Sequence, residues 1–301
     1  MTVTAATTSP VVLPALDHGH AGLTNQVRSE WTKLRSVRST WVCLAIVVVA
    51  GIGLSALVTN IEAGRWGTLG LADRATFDPV RISQTGSFLS QFVVGVLGAL
   101  VITSEYATGS IRTTLAITSK RTTVLAAKLL VIGVVVFVVA ELTAFASFFT
   151  SQAILVAHGA KVLPAGSSIL TQVRSAAIPY VGLSDGSALR AVALSGVYLL
   201  LLTLLACGIG FIIRHTAGAI AAFVGVLLVL PLIVNVLPSS ISGSFEKYLP
   251  SNLGLAMILV TTRKTDFAGI LLPPWEAAGL LTIYVAVVVV LAGWLLVRRD
   301  A

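Results

Sequence analysis

Six long apolar segments dominate the pattern of hydrophobic and polar positions along the chain. They cover residues 41–59, 88–104, 129–157, 189–213, 217–237 and 276–297. A helix needs about 20 mostly apolar residues to cross a bilayer, and each segment is of that order. Continuous runs of Leu, Val, Ala and Gly favour helices over a barrel, because each backbone amide must be bonded within its own segment. The pattern predicts an all-α, polytopic membrane protein with six transmembrane helices.

The chain ahead of the first apolar segment falls into two parts. Residues 1–22 are rich in Thr, Ala, Pro, Gly and His without a periodic apolar face, which predicts a disordered cytoplasmic tail. Over residues 23–40, Val27, Trp31 and Leu34 recur at helical spacing, with basic residues on other faces. This predicts an amphipathic helix on the membrane surface, and the alternative is a simple charged flank of the first span.

A shorter apolar segment, Leu253 to Thr262, lies between the fifth and sixth spans. It is too short to cross the bilayer. Pro250 precedes it and Arg263 follows it. Two interpretations stay open for a hairpin at about 250–262: a re-entrant or interfacial helix, or a helix packed on the external side.

Composition excludes an ordinary soluble domain. The chain is 56% hydrophobic and only 11% charged, against about a quarter charged in soluble proteins. Its net charge of +8 reflects topology better than nucleic-acid binding, because no nucleic-acid motif accompanies the basic residues. Cys43 and Cys207 lie in separate apolar segments, which predicts free thiols without a disulfide or metal.

The distribution of Lys and Arg predicts the orientation in the cell membrane. A cytoplasmic N-terminus puts eleven of them inside and nine outside, where seven acidic residues largely offset the nine. The excess is clearest next to the first and last spans, at Arg35, Arg38, Arg298 and Arg299. Since positive residues favour the cytoplasmic side, both termini are predicted to lie in the cytoplasm.

The connection over residues 105–128, EYATGSIRTTLAITSKRTTVLAAK, is polar and basic and lies between two spans. Such a segment suits docking onto a soluble partner, with Arg112, Lys120 and Arg121 as contacts. The alternative is that these charges only set topology.

No lysine follows a glycine, so the chain has no phosphate-binding loop of the form GxxxxGK[ST]. No HExxH run is present either, and we expect no catalytic site, bound cofactor or metal in this chain.

Four runs, in order, carry a family resemblance: SEWTKLRSVRSTW, then VLGALVITSEYATGSIRTTLAITSKRTTVLAAK, then RHTAGAI, and finally LLVRRDA. Together they resemble the permease subunits of type-2 ATP-binding-cassette transporters, in the exporter group common in actinobacteria. The resemblance covers nearly the whole chain after the tail. It implies efflux of an amphipathic or lipid-like substrate, driven by ATP hydrolysis in a separate subunit.

The resemblance also implies roles for particular segments. The helix over 23–40 corresponds to an elbow helix, and the segment at 253–262 to the helical hairpin before the last span. Two ATPase subunits, which hold ATP and Mg, and a second permease chain, identical or different, are the implied partners. The implied ATPase-coupling residues are Glu105, Tyr106, Gly109, Arg112, Lys120 and Arg121 after the second span, and Arg214 and His215 after the fourth.

Glu141 is an ionisable residue inside the third span. Such a residue is costly in hydrocarbon and normally faces a cavity, a partner or water, so Glu141 is a candidate for lining a transport pathway. The alternative is a protonated or hydrogen-bonded side chain packed against a neighbouring helix. Two other functions stay open: a proton-coupled secondary transporter that uses Glu141, and a non-transporting assembly factor or sensor.

Overall fold

The computed structural model describes residues 22–111, 121–162, 177–238, 245–260 and 271–298. The described part is almost entirely helical. Two short strands, β1 (Lys161–Val162) and β2 (Pro179–Tyr180), pair in parallel. The helices are α1 (Leu23–Ser36), α2 (Arg38–Arg65), α3 (Leu71–Thr76), α4 (Pro79–Ser83), α5 (Ser87–Ala107), α6 (Arg121–Ala157), α7 (Gly186–Ile213), α8 (Thr216–Val224), α9 (Leu230–Val236), α10 (Pro250–Ile258) and α11 (Pro274–Arg298).

In the described part of the chain, six helical segments are long and apolar enough to cross a membrane, which confirms the all-α polytopic prediction. The first four spans are formed by α2, α5, α6 and α7, the fifth by α8 and α9 with the turn between them, and the sixth by α11. The spans alternate in direction. One end of the bundle, here called the α1 face, therefore holds α1, the start of the first span and the end of the second; the other end is called the opposite face.

The helices extend past the apolar segments that predict them. Residues 105–107 continue α5 and residues 121–128 begin α6, so the predicted loop over 105–128 has helical ends. The predicted helix over 23–40 is divided, because Val37 has an extended backbone and Arg38 begins the first span. Hydropathy locates the hydrocarbon crossing, whereas backbone hydrogen bonding continues into the polar boundary until a turn stops it.

The fourth span lies at the centre of the bundle. In the most apolar stretch of this span 67% is buried, against 28% for the first and sixth spans and 22% for the fifth. The first two spans approach so closely that a Cβ at Gly86 would overlap the backbone carbonyl of Gly51. The Gly86 amide also donates to Ser55 Oγ at 2.9 Å. Small residues allow this backbone approach, as is typical of membrane helix packing.

Large apolar side chains cover the outside of the bundle. Val49, Leu142 and Val290 are 71%, 67% and 70% exposed. An aqueous surface would not carry so many exposed apolar side chains on consecutive helix turns. Lipid is the environment that these side chains fit, and the protein is a multi-pass membrane protein.

The fifth span is irregular at its centre. Gly225–Val229 form a π turn between α8 and α9, and Pro231 follows it in the first turn of α9. Pro231 has no amide hydrogen to donate to the preceding turn, which accounts for the local change in helical winding.

The predicted hairpin region contains α10, a nine-residue helix that packs against the fourth and sixth spans. Residues 261–270 lie outside the described part. The re-entrant and external interpretations of this region stay predictions.

Candidate coupling site at the α1 face

A buried lysine joins three separate elements at the α1 face. Lys128, in the first turns of the third span, donates to Glu30 of α1 at 2.5 Å and to Glu105 of the second span at 2.8 Å. The side chains of Lys128, Glu30 and Glu105 are only 3%, 4% and 12% exposed. A buried charge needs a paired partner, so these contacts fix α1 against the ends of the second and third spans.

Lys33 completes the group, which is called the charge cluster (Glu30, Lys33, Glu105 and Lys128). Its ammonium donates to Glu30 at 2.8 Å and to Glu105 at 3.3 Å. Two cations and two anions make the cluster neutral overall. Removal of one member would leave an uncompensated buried charge, which is far more costly than exchange of a whole ion pair for apolar residues.

The helical periodicity of α1 explains why Glu30 points inward. Glu30 follows Val27 by three positions and precedes Leu34 by four, so the three share one face of the helix. Leu34 is buried and Val27 packs against the main hydrophobic core. Glu30 is thereby held on the buried face, where the lysines neutralise it.

The ionisation of the cluster follows from its pairing. Burial raises the pKa of the Glu30 carboxyl, but the charge of Lys128 and the hydrogen bonds from Lys128 and Lys33 outweigh burial and hold this pKa below its ordinary value. Burial lowers the pKa of the Lys33 ammonium, but Glu30 and Glu105 reverse this effect and raise it. Both groups are therefore charged near neutral pH.

The end of the second span also meets the turn after the fourth. The Arg214 guanidinium lies 5.2 Å from the centre of the Tyr106 ring, and Phe211 packs edge-on against the same ring at 6.4 Å. Arg214 has a left-handed backbone, with φ of 60°, that ends α7. Thr216 Oγ1 donates to Thr103 Oγ1 at 2.9 Å. Residues distant in sequence are thus brought together at this face, and their role in ATPase coupling stays a prediction.

The other implied coupling residues differ in their surroundings. Gly109 is exposed, with φ of 70°, in the turn that ends the second span. His215 is exposed and caps α8, where its Nδ1 accepts from the Gly218 amide at 3.3 Å. Arg121 donates to the carbonyl of Leu296 at 3.1 Å, which links the third and sixth spans. Arg112 and Lys120 lie outside the described residues.

Glu141 lies near the middle of the third span, half-buried, and faces the fourth span. A Cβ added to Gly196 would lie 2.5 Å from its carboxylate, so the glycine provides the space that the carboxylate occupies. Glu141 does not line the cavity of about 910 Å³ near the opposite face. The pathway-lining role of Glu141 stays a prediction.

The run GLSDG at residues 182–186 has the spacing of a serine-hydrolase motif. Its Asp185 accepts from the Ser187 amide at 2.8 Å and from the Ser187 hydroxyl at 2.6 Å. These bonds cap the first turn of the fourth span. The run therefore has a structural explanation as a helix start.

Sequence reasoning missed three of the four members of the charge cluster. From the sequence, Lys33 and Lys128 are only two of the basic residues that set orientation, and no pattern assigns a role to Glu30. A signal existed for Glu30, because an acid between Val27 and Leu34 interrupts the apolar face of α1. No local signal pairs it with Lys128, 98 residues away.

Residues 26–180 match the model of a family described as ABC-2 family transporter protein, which is more than half of the chain. The chain belongs to the ABC-2 transporter family. The matched region of this ABC-2 protein runs from α1 through the third span to β2, and so contains the whole charge cluster. Comparison with curated proteins finds no match. This ABC-2 protein is a membrane subunit of an ATP-binding-cassette transporter, and the family implies a partner ATPase.

Proposed function

We propose that this chain couples ATP hydrolysis by a separate ATPase to the export of an amphipathic substrate. The observation that carries the proposal is the charge cluster, which joins α1 to the ends of the second and third spans in a member of this family. Such rigid connection allows a push on the segment after Glu105 to move several helices together. In this proposal the partner holds ATP and Mg and carries out the hydrolysis.

The proposed assembly has two permease chains and two ATPase subunits, with both permease termini in the cytoplasm. The ATPase docks at the α1 face, against the turn at Gly109 and the turn at Arg214 and His215. ATP binding draws the ATPase subunits together and opens a pathway outward. Transport in one direction requires that the two arrangements bind substrate with different affinity.

Two glycines provide a matched test of docking. Gly109 and Gly159 are both exposed, both have positive φ (70° and 84°), and neither has an atom within 4 Å of an added Cβ. They differ in location, since Gly109 follows the second span at the α1 face and Gly159 follows the third span at the opposite face. An alanine at either position imposes similar backbone strain.

The chain alone should hydrolyse no ATP, and reconstitution with a cassette ATPase should create substrate-stimulated activity. Gly109→Ala should reduce that stimulation by roughly two- to thirtyfold, the range typical of coupling mutations. Gly159→Ala should leave the stimulation unchanged. Equal loss in both variants, or full transport without an ATPase, would contradict the proposal.

Cysteine labelling tests the orientation. Thr108 and His158 are exposed residues at the α1 face and the opposite face. In a background without Cys43 and Cys207, an impermeant maleimide applied to intact cells should label His158→Cys and spare Thr108→Cys. The reverse pattern would place the docking surface outside the cell, where no ATP-driven partner can reach it.

A further inference from the structure

A cavity of about 910 Å³ lies toward the opposite face, between the first, second, fourth and fifth spans and α10. Its apolar walls include Val58, Phe77, Phe88, Leu227, Leu255 and Ile258. Leu227 belongs to the π turn of the fifth span, so this irregular turn presents part of the wall. The volume is large enough for a drug-sized ligand. This space is called the polar cavity, because Gln91, Tyr198 and Ser251 also line it.

Two uncharged polar groups lining this cavity have unused hydrogen-bonding capacity. Gln91 is only 5% exposed, and its amide oxygen accepts from the Tyr198 hydroxyl at 2.6 Å. Its amide nitrogen has no hydrogen-bond partner among the described residues. Ser251 Oγ is likewise buried without a partner in the described part of the chain. The Ser251 hydroxyl lacks the partner that a buried polar group normally finds, and the Gln91 amide nitrogen is available to donate to a ligand in the cavity.

The charged residues of the polar cavity balance each other. Glu62 and Asp73 provide two negative charges, and Arg65 and Arg81 two positive charges. Gln91, Tyr198 and Ser251 provide no charge. These three side chains offer hydrogen bonds but no counter-charge to a group that contacts them. A group in contact with Gln91 is therefore matched best when it is itself uncharged.

We propose that the polar cavity binds an amphiphile whose polar end is an uncharged hydrogen-bond acceptor, such as an amide or ester carbonyl. The carbonyl accepts from the Gln91 amide and the Ser251 hydroxyl. The apolar body packs against Phe88, Leu227 and Leu255. This inference rests on the proposed function, because it names the substrate class of the exporter.

Three photoreactive probes test the class directly. Each carries the same diazirine-bearing alkyl chain and ends in a carboxamide, a carboxylate or a trimethylammonium group. The full chain in lipid nanodiscs is irradiated with each probe without ATP or ATPase, and the labelled peptides are identified by mass spectrometry. The carboxamide probe should label peptides of α10 and the start of the second span more strongly than either ionic probe.

Variants of Gln91 and Ser251 test whether the labelling depends on the hydrogen bonds that these side chains donate. Gln91→Leu should reduce labelling by the carboxamide probe roughly five- to tenfold, which corresponds to one hydrogen bond. Gln152→Leu is the matched control, since Gln152 is 4% exposed in the third span and does not line the cavity. Ser251→Ala is a milder change that decides the outcome if Gln91→Leu fails to fold.

Equal labelling by the three head groups would overturn the inference, as would full carboxamide labelling in both Gln91→Leu and Ser251→Ala. The readout does not depend on ATP. Selective labelling without ATPase coupling would retain the polar cavity and reject the exporter. ATPase coupling without selective labelling would retain the exporter and reject the polar cavity as the binding site.

Discussion

The charge cluster and the polar cavity bury polar side chains under opposite rules. In the charge cluster at the α1 face, four charges contact one another at 2.5 to 3.3 Å, and Lys128 and Glu30 are almost fully buried. In the polar cavity, Gln91 and Ser251 keep hydrogen-bonding groups without a partner among the described residues. Paired charges hold their helices together, whereas neutral groups without a partner leave room for a ligand. Both fit the proposed function, in which one end transmits force from the ATPase and the other accepts cargo.

The first way to break this contrast is to remove the central cation. Lys128→Met leaves Glu30 and Glu105 buried with only the partly exposed Lys33 to neutralise them. The expected loss is about 3–5 kcal/mol in the free energy of unfolding, as for other buried pairs that lose one partner. Thermal unfolding in detergent measures it.

Two further variants control this measurement. Lys161→Met removes an exposed lysine at the opposite face and should change little. The triple variant Glu30→Gln, Glu105→Gln, Lys128→Met should recover much of the lost stability, because it removes the charges together. If Lys128→Met were as stable as Lys161→Met, the cluster would not hold α1 in place.

A change of pH reduces the stabilisation by the charge cluster less than Lys128→Met does, because it neutralises one group at a time. The folded-state pKa of Glu30 lies below its ordinary 4.5, so its stabilisation is present above pH 4.5 and is lost as the pH falls through the depressed pKa. Lys33 has a raised pKa, so its contribution is present below 10.5 and is lost as the pH rises further.

Unfolding temperatures of the wild type and Glu30→Gln, compared between about pH 3 and pH 6, isolate the Glu30 contribution. The wild type should be the more stable chain at the upper end, and the difference should shrink toward the lower end. A difference that does not vary with pH would show that Glu30 is not ionised in the folded protein.

The two ends also differ in how well the sequence predicts them. Hydropathy finds all six spans, because a bilayer imposes a length and an apolar composition on each one separately. It misses the link from Glu30 to Lys128, because that pairing depends on how the spans pack. Glu105 is named by resemblance as an ATPase contact, yet its carboxylate bonds to Lys128 and Lys33 inside the protein.

The polar cavity shows the same limit. Gln91 lies close to the start of its span and carries little weight as a site residue from sequence. Its importance comes from Tyr198, 107 residues later, and from Ser251 beyond the fifth span. A single sequence does not show which residues lie close together in the fold, so it gives no reason to group these three.

The smallest expected effect lies in the polar cavity itself. Gln91→Leu removes the acceptor of the Tyr198 hydroxyl, which is buried at 3% exposure. Loss of that partner costs about 1–3 kcal/mol, but the variant also removes an amide nitrogen that had no partner and adds apolar surface. These gains reduce the net loss of unfolding free energy to about 1 kcal/mol, well below that of Lys128→Met.

Tyr198→Phe removes the donor, so the double variant should lose less than the sum of the two single changes. Additive losses would mean that the Gln91–Tyr198 bond contributes nothing, and a loss as large as that of Lys128→Met would mean that the polar cavity is as rigid a joint as the charge cluster.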